Sequence, residues 1–180
     1  MTHVLKTNRL ILRKPEASDV DAAVAFFCSD RAIAVGGPFT SGKAWRAFAG
    51  IVGHWDLLGY GPFTIEHKET GDAIGVSGPC FSGDYPEPEL AWDIWSAQYE
   101  GKGFAYEASA AAKDYIFAKL GWKNLVSYVD DDNPRSTALA KRLGGIADEK
   151  PDMTFGDVCW VYRYPMQAGS HPNSGNEAIV

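Results

Sequence analysis

The segment Gln98-Tyr99-Glu100-Gly101-Lys102-Gly103-Phe104-Ala105 decides the fold, because a strand runs into it and a helix runs out of it. Upstream, Glu89 to Trp95 alternates in polarity and is rich in aromatic and branched residues, the pattern of a half-buried strand. Downstream, Phe104, Ala108, Ala111, Ala112, Tyr115 and Ile116 form one stripe of a helix. Two glycines spaced by one residue sit where that helix begins. A helix N-terminus carries unpaired N–H groups and a partial positive charge, and glycine lets an anion approach the backbone closely. The segment therefore predicts a site for a pyrophosphate-bearing molecule.

Two common phosphate motifs fail on these residues. The dinucleotide fingerprint needs a third glycine three positions after Gly103, where Tyr106 stands. A P-loop needs Gly-Lys-Ser/Thr, but Gly101-Lys102 is followed by Gly103. An ordinary nucleotide-binding domain is disfavoured for that reason.

Composition narrows the class further. A chain of 180 residues, 46% of them apolar, suits one globular domain, expected over residues 1–166. Residues 167–180 are polar and rich in Gly, Ser and Asn, and are expected to form a frayed tail. The net charge of −6, with no Lys/Arg cluster, argues against a nucleic-acid binder and gives weak support to a cationic acceptor. Cys28, Cys80 and Cys159 are too few and too scattered for a disulfide framework or a zinc site. No apolar run is long enough to span a bilayer, and Lys6, Asn8 and Arg9 interrupt any signal-peptide centre, so the expected location is the cytoplasm.

Along the chain, Leu5–Lys14 reads as a first strand, Ser18 as the cap of a helix through Phe27, and Ser41 as the cap of a second helix ended by Gly59. Phe63–His67 and Ala73–Phe81 form a hairpin around Thr70-Gly71-Asp72. The fourth strand, Glu89–Trp95, is followed by the glycine loop and its helix, then by a fifth strand at Leu125–Val129. A helix over Asn133–Leu143 ends at Gly144-Gly145, and Phe155–Tyr164 is the last strand. The order predicts an α/β (α+β) domain with helices on both faces of a sheet and one crossover through the Phe104 helix.

The loop Gln98-x-x-Gly101-x-Gly103 resembles the pyrophosphate loop of the GCN5-related N-acetyltransferases (GNAT). Three other segments, in the right order, are similar to the RimJ/RimL-like branch of that superfamily: Thr7-Asn8-Arg9-Leu10-Ile11-Leu12-Arg13 with Ser18-Asp19; Thr70-Gly71-Asp72-Ala73-Ile74-Gly75 with Glu89-Leu90-Ala91-Trp92; and Asn133-Pro134-Arg135-Ser136 running to Lys141 and Gly144. The resemblance implies a GNAT fold, a mixed, mostly antiparallel sheet splayed between its fourth and fifth strands. It also implies transfer of an acetyl group from acetyl-CoA to a primary amine; ligand spacing, net charge and hydropathy lead us to expect no metal and no nucleic-acid or membrane partner. The amine can belong to a protein N-terminus or a small molecule, and a homodimer is compatible. Two departures stand out: Ala140 occupies the position of the tyrosine that often protonates the leaving thiolate, and Gly145 replaces an aromatic residue, which is expected to loosen the end of the late helix.

On that footing, backbone N–H groups from Gly101 through Lys102, Gly103, Phe104 and Ala105 hold the pyrophosphate, with Gln98 at the loop start. Ile94, Trp95 and Ser96 offer main-chain groups to the pantetheine arm and to the thioester oxygen. Asn133, Ser136 and Lys141 face the donor from the late helix. Glu89 and Asp93 lie four residues apart on one face of the strand. Glu89 is the first candidate for general base, directly or through water, and Asp93 the second. Ser136 is the candidate proton donor to sulfur, its alternative being a bond to its own helix backbone, and Asn133 caps that helix. Trp45 and Trp55 are expected to border the acceptor. Asp130-Asp131-Asp132 lacks the glycine and glutamate of a calcium loop, and the four histidines have no partner at ligand spacing. A different class of function, a non-catalytic CoA-binding regulator, is the alternative suggested by Ala140 and Gly145.

Overall fold

The computed structural model describes residues 4–81, 86–148 and 159–166. Within it the predicted first strand divides in two. β1 (Leu5–Lys6) and β2 (Leu10–Arg13) pair antiparallel, with Leu5 opposite Leu12. Thr7 turns the chain, because its N–H donates to the Leu10 carbonyl at 3.0 Å and its Oγ1 accepts from the Leu10 N–H at 3.1 Å. A hydroxyl that bonds locally offers the backbone an alternative to extension.

Ser18 is not a helix cap. A short 3₁₀ turn over Ala17–Asp19 precedes α1 (Val20–Phe27), and Asp19 reaches back to accept from the Glu16 N–H at 2.9 Å. Asp19 also binds Arg13 at 2.8 Å and Thr64 Oγ1 at 2.9 Å, which fastens the start of α1 to the sheet. Burial alone would raise the Asp19 carboxyl, but the bonds from Arg13, Glu16 and Thr64 hold it below its ordinary value. α2 (Ser41–Leu58) is capped by Thr40 rather than Ser41, and stops at Gly59, whose φ of 76° lies in the left-handed region.

The hairpin β3 (Phe63–His67) and β4 (Ala73–Cys80) follows, then β5 (Glu89–Ile94), α3 (Phe104–Tyr115) and β6 (Val126–Asp130). α4 (Pro134–Arg142), β7 (Ile146–Ala147) and β8 (Cys159–Arg163) complete the described chain. The two-residue β7 was not expected from the sequence, since so short an edge strand leaves no periodicity. Of the predicted last strand, residues 155–158 lie outside the described residues, as does the predicted tail, 167–180.

The sheet order is β1-β2-β3-β4-β5-β6-β8-β7, and every pairing is antiparallel except β5 with β6. Those two parallel strands are in register at Glu89 and Val126 alone and then part. α3 packs on one face over Leu10, Leu12, Phe63, Ile65 and Leu90, and α1 and α2 cover the other over Val76 and Trp95. Ala108, Ser109 and Ala112 let α3 lie close to the strands, and the Ser109 hydroxyl meets that of Ser77 at 2.9 Å. Each fully buried Leu or Phe of this kind stabilises the fold by about 2 kcal/mol. The result that matters for function is the opening where β5 leaves β6.

Candidate active site

α3 begins at Gly103, with φ at 81°, and no side chain caps it. Its first N–H groups, from Phe104 onward, have no acceptor within the helix, and Phe104, Ala105 and Tyr106 line a groove. Gly101 is also left-handed, at φ 70°, with open space around an added Cβ, so its glycine is required by conformation rather than by crowding. Arg9 braces this loop from behind. Its guanidinium donates to the Lys102 carbonyl at 3.0 Å and the Glu107 carboxylate at 2.7 Å, and lies 4.3 Å from the Phe104 ring centre. Burial pushes the Glu107 carboxyl up, but bonds from Thr7 and Arg9 outweigh that and keep it low, so the acid in the first turn is neutralised away from the groove.

The groove has a volume of about 870 Å³ and fills the gap opened by the splay. One wall is Ile94 and the loop residues Gly101, Gly103, Phe104 and Ala105; the other is α4, through Asn133, Ser136 and Arg142. Arg142 stacks on Tyr106 with its guanidinium carbon 3.9 Å from the ring centre. The bounds suit a long anionic ligand with an extended arm.

A second cavity of about 440 Å³ joins the groove, and Trp92, Asp93, Asn133 and Ser136 line both. Glu89 and Asp130 also line the second cavity, and among the described residues no Lys or Arg lines it. Desolvation raises the Glu89 carboxyl from 4.5 to about 7, despite a long bond of 3.4 Å from the Tyr128 N–H. Desolvation, then the Glu89 charge, raises Asp93 from 3.8 to about 7. Two carboxyl groups that perturb each other titrate as a pair. Cys80 lies beside them, with its sulfur 3.8 Å from His54 Nε2. Burial first, then Glu89 and Asp93, push its thiol up to about 12, which keeps it protonated and a poor nucleophile.

α4 carries the facing groups. Pro134 stands at its first turn, and Asn133 caps it by accepting from the Ser136 N–H at 3.0 Å. Ser136 Oγ accepts from the Trp92 indole N–H at 3.2 Å, which leaves the hydroxyl proton available to a third group. Ala140 is fully buried against Val129 and Tyr162, with Trp92 packed alongside. Gly145 does not loosen the helix end as expected. Its N–H donates to the Ala140 carbonyl at 2.9 Å, and a Cβ there would lie only 2.8 Å from that oxygen.

The fold thus brings Ile94, Gly101, Gly103, Phe104, Ala105, Asn133 and Ser136 to the groove, Glu89 to the second cavity and Asp93 to their junction. Trp95 turns its indole into the core beside Phe48, and only its carbonyl is near the groove. The side chains of Ser96, Gln98, Lys102 and Lys141 line neither cavity. Nor do Trp45, which is 56% exposed on α2, and Trp55, which is buried with its indole N–H on the Pro62 carbonyl at 2.9 Å. Sequence reasoning did not find Arg9, Arg31, Trp92 or Arg142. Their partners lie dozens of residues away, and no spacing rule links them.

A profile of the Acetyltransferase (GNAT) domain matches residues 9–146. "Uncharacterized N-acetyltransferase p20" of Bacillus licheniformis is 29% identical over 143 residues, covering 77% of this chain and 80% of its own. The acetyltransferase from Agrobacterium tumefaciens str. C58 has a solved structure that superposes with a TM-score of 0.83 at 36% identity, over 91% of this chain and 94% of that one. RimL, the ribosomal L7/L12 alpha-N-protein acetyltransferase solved in complex with coenzyme A, shares the fold at a TM-score of 0.70 and 16% identity, over 90% of this chain and 96% of its own. The chain belongs to the GNAT acetyltransferases.

Proposed function

We propose that this GNAT N-acetyltransferase binds acetyl-CoA along the groove beside α3 and presents its acyl end at Asp93 and Ser136, where a primary amine arrives from the second cavity. The observation that carries this reading is the junction: the anion-ready groove and the acidic cavity meet at Asp93, Asn133 and Ser136. Acetyl-CoA supplies the acyl group as a thioester, and it passes directly to the amine. The amides from Gly101 to Ala105 hold the diphosphate, and the main-chain edge of β5 that parts from β6 aligns the arm. An amine is protonated at neutral pH, so the Glu89–Asp93 pair takes its proton; carboxyl groups poised near 7 suit that work. Ser136, held by Trp92, hydrogen-bonds the departing sulfur and passes to it the proton that the attacking nitrogen sheds as the tetrahedral intermediate collapses, so the serine ends as a hydroxyl. The protonated Cys80 thiol supports the direct route over a covalent one.

A cationic acceptor suits a cavity lined by Glu89, Asp93 and Asp130 and, among the described residues, by no Lys or Arg. The α-amine of a protein N-terminus, as in the name of RimL, and small-molecule amines both fit that requirement. Among the described residues no helix is long and apolar enough to cross a membrane, and the thiols of Cys28 and Cys80, which form no disulfide, suit the reducing cytoplasm, where we place the enzyme. Thiol release from acetyl-CoA, followed across a panel of amines and N-terminal peptides, tests the reading. Acceptor-dependent release that falls below about pH 7 is expected; release by no amine despite tight CoA binding would contradict it.

A further inference from the structure

Arg31 lies in a 3₁₀ turn, Asp30–Val35, that follows α1, with its own N–H donating to Ser29 Oγ at 3.3 Å. Its guanidinium donates to the carbonyl oxygens of Ile94, at 2.8 Å, and of Trp95, and to the Glu100 carboxylate. Ile94 ends β5 and Trp95 follows it, beyond the one position at which β5 is in register with β6. Main-chain carbonyls in a sheltered place need donors, and a planar guanidinium can serve two of them and a carboxylate at once. Glu100 belongs to the phosphate loop and is shared with Arg135 of α4 at 2.6 Å. Burial would raise the Glu100 carboxyl, but Arg31 and then Arg135 hold it below its ordinary value. Arg31 is 29% exposed against 84% for Arg135, so the Arg31 contact is the sheltered and stronger one.

The same turn borders both halves of the site, since Ile33 and Ala34 line the groove and the acidic cavity alike. One side chain therefore ties three walls together: the turn, the end of β5 and the phosphate loop. We propose that Arg31 is a positioning residue that couples the donor groove to the acceptor cavity, so that a ligand on the phosphate loop orders the turn that shapes the acceptor site. The proposal rests on the reading of the groove as the CoA site. An ion pair serving stability alone would lower melting temperature on removal without changing how the turn responds to CoA.

Hydrogen exchange read by mass spectrometry, with and without CoA, separates these cases. In the wild type, CoA is expected to slow exchange over residues 98–106 and over residues 30–36 together. In Arg31→Gln, CoA should still protect residues 98–106, with affinity weaker by about tenfold, as befits loss of a charge-assisted contact, while residues 30–36 no longer respond. Arg31→Lys should behave like the glutamine variant, because an ammonium cannot fork between two carbonyls and a carboxylate. Glu100→Gln keeps both carbonyl bonds but weakens the link to the loop, and should diminish the response of residues 30–36 in a protein whose turn is still anchored. A wild-type turn indifferent to CoA, or variants whose turn responds as fully as the wild type, would overturn the coupling. Failure of the wild type to bind CoA at all would instead remove the functional reading beneath it.

Discussion

The donor groove and the acceptor cavity share Asp93, Asn133 and Ser136, yet they are built from different materials. On the proposed reading the groove recognises its ligand chiefly with backbone: the open N-terminus of α3, two left-handed glycines and the edge of β5 that parts from β6, with Arg9 bracing the loop from behind and Arg31, Arg135 and Arg142 along the walls. The cavity works with buried side-chain charge, and its two principal carboxyl groups are displaced to about 7 by their surroundings. Backbone recognition survives most side-chain changes except at glycine. Side-chain recognition fails on a single substitution.

The comparison is broken most severely by removing the carboxylates. Asp93→Asn and Glu89→Gln should each lower turnover by about 10²–10⁴-fold, the range typical of a lost general base, with CoA affinity nearly unchanged. If either left turnover intact, that residue is no part of the base. Ser136→Ala should be milder, costing roughly tenfold in kcat with little effect on CoA affinity, because solvent can still protonate a thiolate; equal losses in both would reduce the serine to a positioning role.

The pH dependence sharpens the same contrast with opposite signs for rate and stability. A base must be ionised, so kcat/KM should fall as pH drops below about 7. Stability runs the other way. A carboxyl whose folded value is raised stabilises the native state fully below its ordinary value, and that contribution is lost as pH rises through about 7. Glu89→Gln should therefore unfold at a higher temperature than the wild type above pH 7, with the advantage fading toward pH 4. A variant that melts lower at high pH would show that ionised Glu89 is well satisfied where it sits. In a denaturant titration Gly145→Ala should cost about 1–3 kcal/mol, since its methyl would press on the Ala140 carbonyl.

The same division governs how much could be read from the sequence. The strand–glycine–helix unit was legible because its signals are local: alternation through Glu89–Trp95, the Gly101 and Gly103 spacing, and the apolar stripe of α3. The capping of α4 by Asn133 was legible for the same reason. Glu89 and Asp93 could be placed on one strand face, but their raised values could not, because desolvation depends on what the distant Val126–Asp130 strand and the Asp30–Val35 turn bring near. Arg31 looks unremarkable in sequence; its meaning comes from carbonyls more than sixty residues later. Trp45 and Trp55 mislead in the opposite sense, since the family resemblance sets both beside the acceptor while the packing sends one to solvent and the other to the core. Turn caps at Thr7 and Glu16 were missed because hydroxyls and carboxylates reach back to the backbone at several offsets.

Calorimetric titration of CoA into the wild type and into Gly103→Val tests the central claim most directly. A branched side chain is strongly disfavoured at φ 81° and would distort the start of α3. The account predicts clear binding to the wild type and a loss of at least about tenfold in the variant, matching the 1–2 kcal/mol of left-handed strain, with the fold intact by circular dichroism. Equal affinity in the two proteins would contradict it.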